Sequence, residues 1–382
     1  MTAKLAQSPM VQGWCPGAHR PMMSGDGLVV RVRPFRATLS PPQARALCDL
    51  ARRYGNGTID LTTRANLQIR GVAESDHPAL LRALAGQDLL DTDPVMEGRR
   101  NILMAPDWQQ GGLTDRLHTM LLETLPKLPV LPEKMGYALD TGAEARLTRG
   151  AADFRFELDT EGHLLLRADG VANGIRIDET NVMAALTELL AWFIETGGQE
   201  AGRMARHLRS TSLPNAWQVT APRAPAKPLA PGPTDDGLIL GVPFGSISAA
   251  AMETLIQAPG VADLRLMMDR LLWLRGALPQ APPGFITTPG SALLTTHACP
   301  GAPFCPRATV ETRALAERLA GQVPGSLHIS GCTKGCALPR RADITLTGRD
   351  GRFDLVRNGA PWDEPEATGL RPNDLNDLTG YA

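Results

Sequence analysis

Four cysteines in the C-terminal third of the chain form two tight pairs. Cys299 and Cys305 are separated by five residues, and Cys332 and Cys336 by three. They lie in the stretches His-Ala-Cys-Pro-Gly-Ala-Pro-Phe-Cys-Pro and Ser-Gly-Cys-Thr-Lys-Gly-Cys. Glycine and proline keep both stretches out of regular structure, so backbone amides stay free and thiols can converge. Four thiolates gathered in this way suit an iron–sulfur cubane, one sulfur per iron, and they also suit a tetrahedral zinc. The long first loop, and the helix and strand expected between the pairs, favour the cubane over a compact zinc knuckle. A cluster that only carries electrons, without catalysis, remains open on this pattern alone.

The second set of candidates is cationic: Arg31, Arg33, Arg36, Arg64, Arg70, Arg99 and Arg100. Taken singly, each reads as the solvated face of a strand or loop, where an ion pair contributes roughly 0–1 kcal/mol. As a group they are candidate partners for a polycarboxylate, held through several bidentate pairs. Cys48 is expected in the core, on the apolar face of a helix, and Cys15 reads as a buried residue rather than a ligand. No strand is followed by G-x-G-x-x-G and there is no Walker A sequence, so electrons are expected from a separate reductase.

Composition bounds these readings. The 382 residues are 43% hydrophobic and 21% charged, with a net charge of −1, enough for several globular units and unlike a nucleic-acid-binding protein. Only five of the 39 basic residues are lysines, the residue-level trace of a GC-rich coding sequence. The most apolar stretch, Val182 to Ile194, contains Glu188 and is too short to span a membrane. With no signal-like apolar run at the N-terminus and no disulfide-like cysteine pattern, a cytoplasmic location is expected.

The elements that must position these residues recur. Asp26-Gly27-Leu28-Val29-Val30-Arg31-Val32 is echoed by Asp236-Gly237-Leu238-Ile239-Leu240-Gly241-Val242. Leu67 to Gly71 is echoed by Leu272 to Gly276, and Ala152-Asp153-Phe154 with Asp169-Gly170 by Ala342-Asp343-Ile344 with Asn358-Gly359. Three matches in the same order point to a duplication. Within the first copy, Leu28 to Arg33 alternates as a half-buried strand, and Ser40-Pro41-Pro42-Gln43 is a capping box opening a helix that ends at Gly55. Strands over Thr58 to Thr62 and Leu67 to Arg70 and a helix near Pro78 to Ala85 complete a split βαβ, or ferredoxin-like, half. The second copy carries its helix near Ala249 to Ile256. Further helices are expected at Thr114 to Leu125 and Thr309 to Ala320, with a strand at Leu327 to Ser330.

The cysteine pattern C-x5-C…Gly-Cys-x3-Cys resembles the cluster motif of the sulfite and nitrite reductase family, whose 4Fe-4S cluster sits beside a sirohaem. Thr62-Thr63-Arg64-Ala65-Asn66-Leu67-Gln68 resembles that family's Thr-Thr-Arg-Gln-x-x-Gln segment, and Arg100-Asn101-Ile102-Leu103 its Arg-Asn-Val-x segment. Gly13-Trp14-Cys15-Pro16-Gly17-Ala18-His19-Arg20-Pro21-Met22, running into Ser24-Gly25-Asp26-Gly27-Leu28, resembles the N-terminal signature of the family's precorrin-3B synthase branch. The resemblance implies an α+β, pseudo-twofold nitrite/sulfite reductase fold with ferredoxin-like halves and mixed α/β cluster- and tetrapyrrole-binding segments.

For the branch it implies dioxygen-dependent hydroxylation of precorrin-3A at C20, with an acetate arm closing a γ-lactone, in aerobic cobalamin biosynthesis. The tetrapyrrole is then substrate rather than prosthetic group. A short sirohaem sulfite or nitrite reductase is the alternative. Carried over residue by residue, Arg64, Arg100 and Lys134 face the tetrapyrrole in catalytic positions, and Arg31, Arg33, Arg70 and Arg99 join them in binding it. The family's second lysine falls on Gly136, and Arg64 corresponds to Asp269 in the second copy, leaving one functional pocket of two. The resemblance also implies a mononuclear iron, and His19 and His297 flank the motifs, but lone histidines are mostly structural and neither is assigned to it.

The expected organisation is a ferredoxin-like half over 1–92, a cysteine-free tetrapyrrole-binding segment over 93–220, and a Pro/Ala-rich linker over 221–235. A second ferredoxin-like half follows over 236–288, and the cluster segment over 289–382.

Overall fold

The computed structural model describes residues 16–276, 280–375 and 378. Gly13, Trp14 and Cys15 of the N-terminal signature lie outside them. The described chain builds four five-stranded sheets related in pairs.

The first ferredoxin-like sheet runs Met22–Ser24, Gly27–Val32, Leu67–Val72, Thr58–Leu61 and then Ser246–Ser248. The second runs Gly232–Thr234, Gly237–Gly241, Leu271–Arg275, Asp263–Leu266 and then Thr38–Leu39. Each sheet thus ends on a strand from the other copy: Ile247 pairs with Ile59, and Leu39 with Leu264. The exchange starts from one turn used twice, with Arg36 and Ala37 at φ 56° and 51° and Phe244 and Gly245 at 56° and 74°. After each exchanged strand a serine caps a helix. Ser40 accepts from the Gln43 amide at the start of Pro41–Tyr54, and Ser248 from the Ala251 amide at the start of Ala249–Ile256. The two helices pack on each other, and one core runs through both halves, from Val30, Leu47 and Ile69 to Leu240, Met252 and Leu274.

An ion pair is duplicated as well. Arg70 meets Asp26 at 2.9 Å, and Arg275 meets Asp236 at 3.0 Å, each arginine standing before a glycine at positive φ.

The remaining two sheets share one topology. Ile102–Met104, Tyr137–Asp140 and Phe154–Leu158 are parallel neighbours, followed by antiparallel Leu164–Ala168 and Ile175–Arg176. Thr296–Ala298, Leu327–Ser330 and Ala342–Arg349 repeat the parallel trio, followed by antiparallel Arg352–Gly359 and Ala367–Leu370. Helices Leu113–Thr124 and Val182–Glu195 cover the first of these sheets, and Arg313–Leu319 covers the second.

Several elements differ from expectation. The strand from Leu28 is buried on both faces, since Val29 and Val30 are 1% and 0% exposed, because a second layer packs on the face expected to be solvated. The helix expected from Thr309 begins at Arg313, because Thr309 and Ala308 are held in the first cysteine loop by hydrogen bonds to the Gly331 and Cys305 carbonyls. The Pro/Ala-rich segment is extended but pinned: its Arg223 amide donates to the Leu158 carbonyl and its Ala226 amide to the Ala145 carbonyl. Among the described residues, no helix is long and apolar enough to cross a membrane.

Candidate functional site

The cysteines follow the C-terminal ends of two adjacent parallel strands. Cys299 directly follows Thr296–Ala298, and Cys332 lies two residues beyond Leu327–Ser330. Loops at this end of a parallel sheet share one rim, which brings together cysteines distant in sequence. In the first copy the corresponding rim carries Ala105 and Pro106, where the second has Cys299 and Pro300. Arg99, Arg100 and Lys134 instead precede Ile102–Met104 and Tyr137–Asp140, at the opposite strand ends. The basic segments and the cysteine pairs therefore lie at opposite ends of the equivalent sheets.

All four cysteines are free thiols lining one cavity of about 360 Å³. Burial is the main cause pushing the Cys299 and Cys336 thiols up, and the other cysteines add to it. Such a group becomes four thiolate ligands when a metal centre supplies compensating charge. The Gly331 amide donates to Cys299 Sγ at 3.2 Å, the kind of contact that tunes a cluster's potential. Among the described residues no three of the sulfurs lie mutually within 4.8 Å. A tetrahedral zinc with Zn–S of about 2.3 Å would hold them about 3.8 Å apart. Four thiols from two loops facing one cavity are a donor set that suits a cubane, one sulfur per iron.

The N-terminal signature packs against this cage. The Ser24 hydroxyl and the Gly25 amide both donate to the Phe304 carbonyl, at 2.5 and 3.1 Å. A Cβ on Gly25 would collide with the Pro303 carbonyl, so only glycine admits this approach. Arg70 completes the joint. It is 5% exposed, bridges Asp26 and Asp60 at 2.9 and 3.3 Å, and donates to the Phe304 carbonyl at 3.3 Å. Arg70, expected to bind substrate carboxylates, lines the cavity, and its guanidinium is also engaged by Asp26 and Asp60.

Arg33 and Arg100, expected to bind the tetrapyrrole, are likewise engaged by carboxylates and are not among the residues lining the cysteine cavity. Arg100 is 4% exposed, pairs with Asp91 at 2.6 Å, donates to the Arg33 carbonyl and stacks on Phe35 at 4.0 Å. Arg33 pairs with buried Glu97 at 3.0 Å. Arg99 donates to the Leu125 and Leu128 carbonyls at 2.8 and 2.9 Å, closing the end of a neighbouring 3₁₀ turn, and lines a separate cavity with Gly17, Arg20 and Met135. Lys134 is half-buried near that cavity, next to Glu133, which pairs with Arg20.

Arg64 donates to the Ala151 carbonyl at 2.8 Å, while Thr62 and Thr63, just before it, line the cysteine cavity. Arg31 stands cross-strand from Gln68 and two residues from Val29, both of which line that cavity. Of the expected cations, Arg70 lines the cavity itself, and Arg31 and Arg64 stand beside residues that line it. Gly136 has no room for a lysine, since a Cβ there would lie 2.5 Å from the Asn101 carbonyl oxygen.

The cavity recruits cations that the sequence reading passed over: Arg270, Arg307, Arg313 and Lys334. Arg313 pairs with Asp60 at 3.3 Å and donates to Ser246 at 2.8 Å, tying the cluster segment to the exchanged strand. Arg270, Arg307 and Lys334 have no carboxylate within ion-pair distance among the described residues. Lys334 lies inside the second cysteine motif and Arg307 two residues past Cys305, so adjacency alone would have flagged them. Met22, Val29, Leu61 and Phe244 supply the apolar part of the wall. An apolar wall with an excess of cations suits a flat hydrophobic molecule with anionic arms.

The matching cavity of the other copy, lined by Met267, Met268, Leu103, Pro106 and Leu147, is far smaller, about 50 Å³. The histidines named for an iron are engaged within the protein. His19 Nε2 bonds the Asp91 carbonyl at 2.7 Å and His297 Nδ1 meets Arg270 at 3.1 Å. Neither joins two further ligand side chains among the described residues.

A duplicated α+β chain with exchanged ferredoxin-like strands and four thiols at one rim has the architecture of the nitrite/sulfite reductase fold. Residues 20–87 match the family model described as the nitrite/sulfite reductase ferredoxin-like half domain. The structure resembles the NirA protein of Mycobacterium tuberculosis, with a TM-score of 0.63 and 18% identity over 91% of this chain and 79% of that one. A ferredoxin–nitrite reductase of Leptolyngbya laminosa is 24% identical, covering 89% of this chain and 80% of its own. A precorrin-3B synthase of Sinorhizobium sp is 31% identical over 94% of this chain and 85% of its own. The chain belongs to the precorrin-3B synthase family.

Proposed function

We propose that this protein hydroxylates precorrin-3A at C20 with dioxygen and that an acetate arm of the product closes a γ-lactone, as a step of aerobic cobalamin formation. One oxygen atom enters the substrate and the other leaves as water, with electrons supplied by a separate reductase. The observation that carries this reading is one cavity bearing both the four-thiol cage and an unneutralised excess of cations. A macrocycle with acetate and propionate arms satisfies both the apolar wall and those charges.

Cys299, Cys305, Cys332 and Cys336 would hold a 4Fe-4S cluster, which supplies one-electron transfer when bound. The chain's own groups do the rest. Met22, Val29 and Leu61 exclude water from the macrocycle face, and Arg31 and Arg64 stand at the cavity's edge for its arms. Cations beside the reacting carbon stabilise negative charge that develops on oxygen. Gly136, packed against Asn101, leaves no place for the second lysine that sirohaem reductases place over a small anion.

The test is purification without oxygen, assay of iron and acid-labile sulfide, and extraction for sirohaem, followed by aerobic turnover with a reductant. The expected result is a cluster, no sirohaem, and conversion of precorrin-3A to a hydroxylated lactone. Tightly held sirohaem with sulfite or nitrite reduction would establish the alternative instead.

A further inference from the structure

Arg270 occupies a position that local backbone preference opposes. The strands Asp263–Leu266 and Leu271–Arg275 are joined by a tight hairpin in which the Met267 amide donates to the Leu271 carbonyl and the Leu271 amide to the Met268 carbonyl. The tip residues, Asp269 and Arg270, have φ 58° and 65°. Such paired positive φ values belong to the primed two-residue turns, where asparagine, aspartate and above all glycine are favoured. A long side chain at the second tip position costs backbone energy, and residues held this way cluster at functional sites.

The guanidinium at this tip lines the cysteine cavity and is half-buried. Its neighbour Asp269 makes no ion pair with it, bonding Arg149 at 2.7 Å instead, and offsets its charge only at longer range. Among the described residues its hydrogen-bond partner is His297, whose Nδ1 lies 3.1 Å from Nη2. A guanidinium only donates, so Nδ1 is the acceptor and the imidazole proton resides on Nε2. His297 therefore holds Arg270 in direction without cancelling its charge. Burying a cation without a counter-charge is costly, and an arriving anion relieves that cost.

We propose that Arg270 is a specificity-determining residue that binds a carboxylate arm of the tetrapyrrole, that His297 positions it, and that Lys334 and Arg307 receive neighbouring arms. This assignment rests on the tetrapyrrole reading given above. It places the recognition of arm number at the cage, on residues supplied by the second copy, where the first copy has Arg64 and Ala65.

The test is equilibrium binding to the cluster-loaded protein, read by porphyrin fluorescence, with uroporphyrin as an octacarboxylate probe and coproporphyrin as a tetracarboxylate probe. Wild type is expected to bind uroporphyrin more tightly, with affinity falling as salt rises. Arg270→Gln should weaken uroporphyrin binding about 10- to 100-fold, the range expected for losing a hydrogen bond to a charged group, and should flatten the salt dependence. Arg270→Lys should recover part of the loss. His297→Leu should weaken binding less than Arg270→Gln, and His297→Gln, whose amide oxygen can accept from Arg270, should restore it. Cluster absorbance reports that each variant is folded.

If wild type binds uroporphyrin and Arg270→Gln binds it equally well with the same salt slope, Arg270 is not an anchor, while the tetrapyrrole reading stands. If wild type binds neither porphyrin, both the anchor and the tetrapyrrole reading are overturned.

Discussion

Arg70 shows how one residue can change meaning between sequence and structure. In the chain it is one arginine among many. In the fold it joins Asp26, Asp60, Ser24 and the Phe304 carbonyl into a buried joint between the N-terminal signature and the first cysteine loop. Arg70→Met would leave Asp26 without its cation and Asp60 with Arg313 alone, so it should cost about 3 kcal/mol in urea unfolding and reduce iron content. Gly25→Ala tests the same joint more locally. The added methyl meets the Pro303 carbonyl, so iron per chain should fall although every cysteine is intact. The cysteines themselves were legible in the sequence because their pairs are close along the chain. Arg33 and Arg100 were not, because Glu97 and Asp91, which neutralise them, carry no sequence mark of that role. Arg270 was hidden for a different reason: its importance comes from a backbone angle and a cavity.

At the scale of elements, the helix Pro41–Tyr54 was readable almost to the residue, since a capping box and a glycine stop are local signals. The exchanged strands were not readable. Thr38–Leu39 spans two residues and Ser246–Ser248 three, too short for periodicity to register, and their pairing partners lie in the other copy. The exchange carries a prediction. A fragment covering residues 16–220 lacks the last strand of its first sheet and half of the shared core, and a fragment from 221 onward lacks the reciprocal strand. Neither should show a cooperative thermal transition alone, and mixing them should restore one. Circular dichroism melts decide this, and a sharp transition in either isolated fragment would contradict the shared core.

For the whole molecule, the duplication was visible as three echoes in the same order and its asymmetry as Asp269 in place of Arg64, but the extent to which one cavity closes was not. One copy keeps a cavity of about 360 Å³ at a cysteine rim, and the other closes the matching space to about 50 Å³. The buried histidines give the molecule a predictable response to acid. Burial pushes His118 and His328 down to about 4 from the ordinary 6.5, and they are 2% and 0% exposed. Between pH 4 and 6.5 the unfolded chain then binds more protons than the folded one, so stability rises with pH across this window and levels off above it. Each histidine contributes at most about 1.4 kcal/mol per pH unit. Urea unfolding at a series of pH values should show a shallower acid slope for His118→Gln than for wild type, and an unchanged slope would contradict this assignment.

The central claim is that the cage and its cationic cavity serve an oxygen insertion into a tetrapyrrole. The most direct measurement is mass spectrometry of the product formed from precorrin-3A by the cluster-loaded protein under isotopically labelled dioxygen. The account predicts a hydroxylated lactone carrying a single labelled oxygen atom, and its loss when Cys299 is replaced by serine. Unchanged substrate with cluster and reductant present, or a product whose new oxygen comes from water, would contradict it.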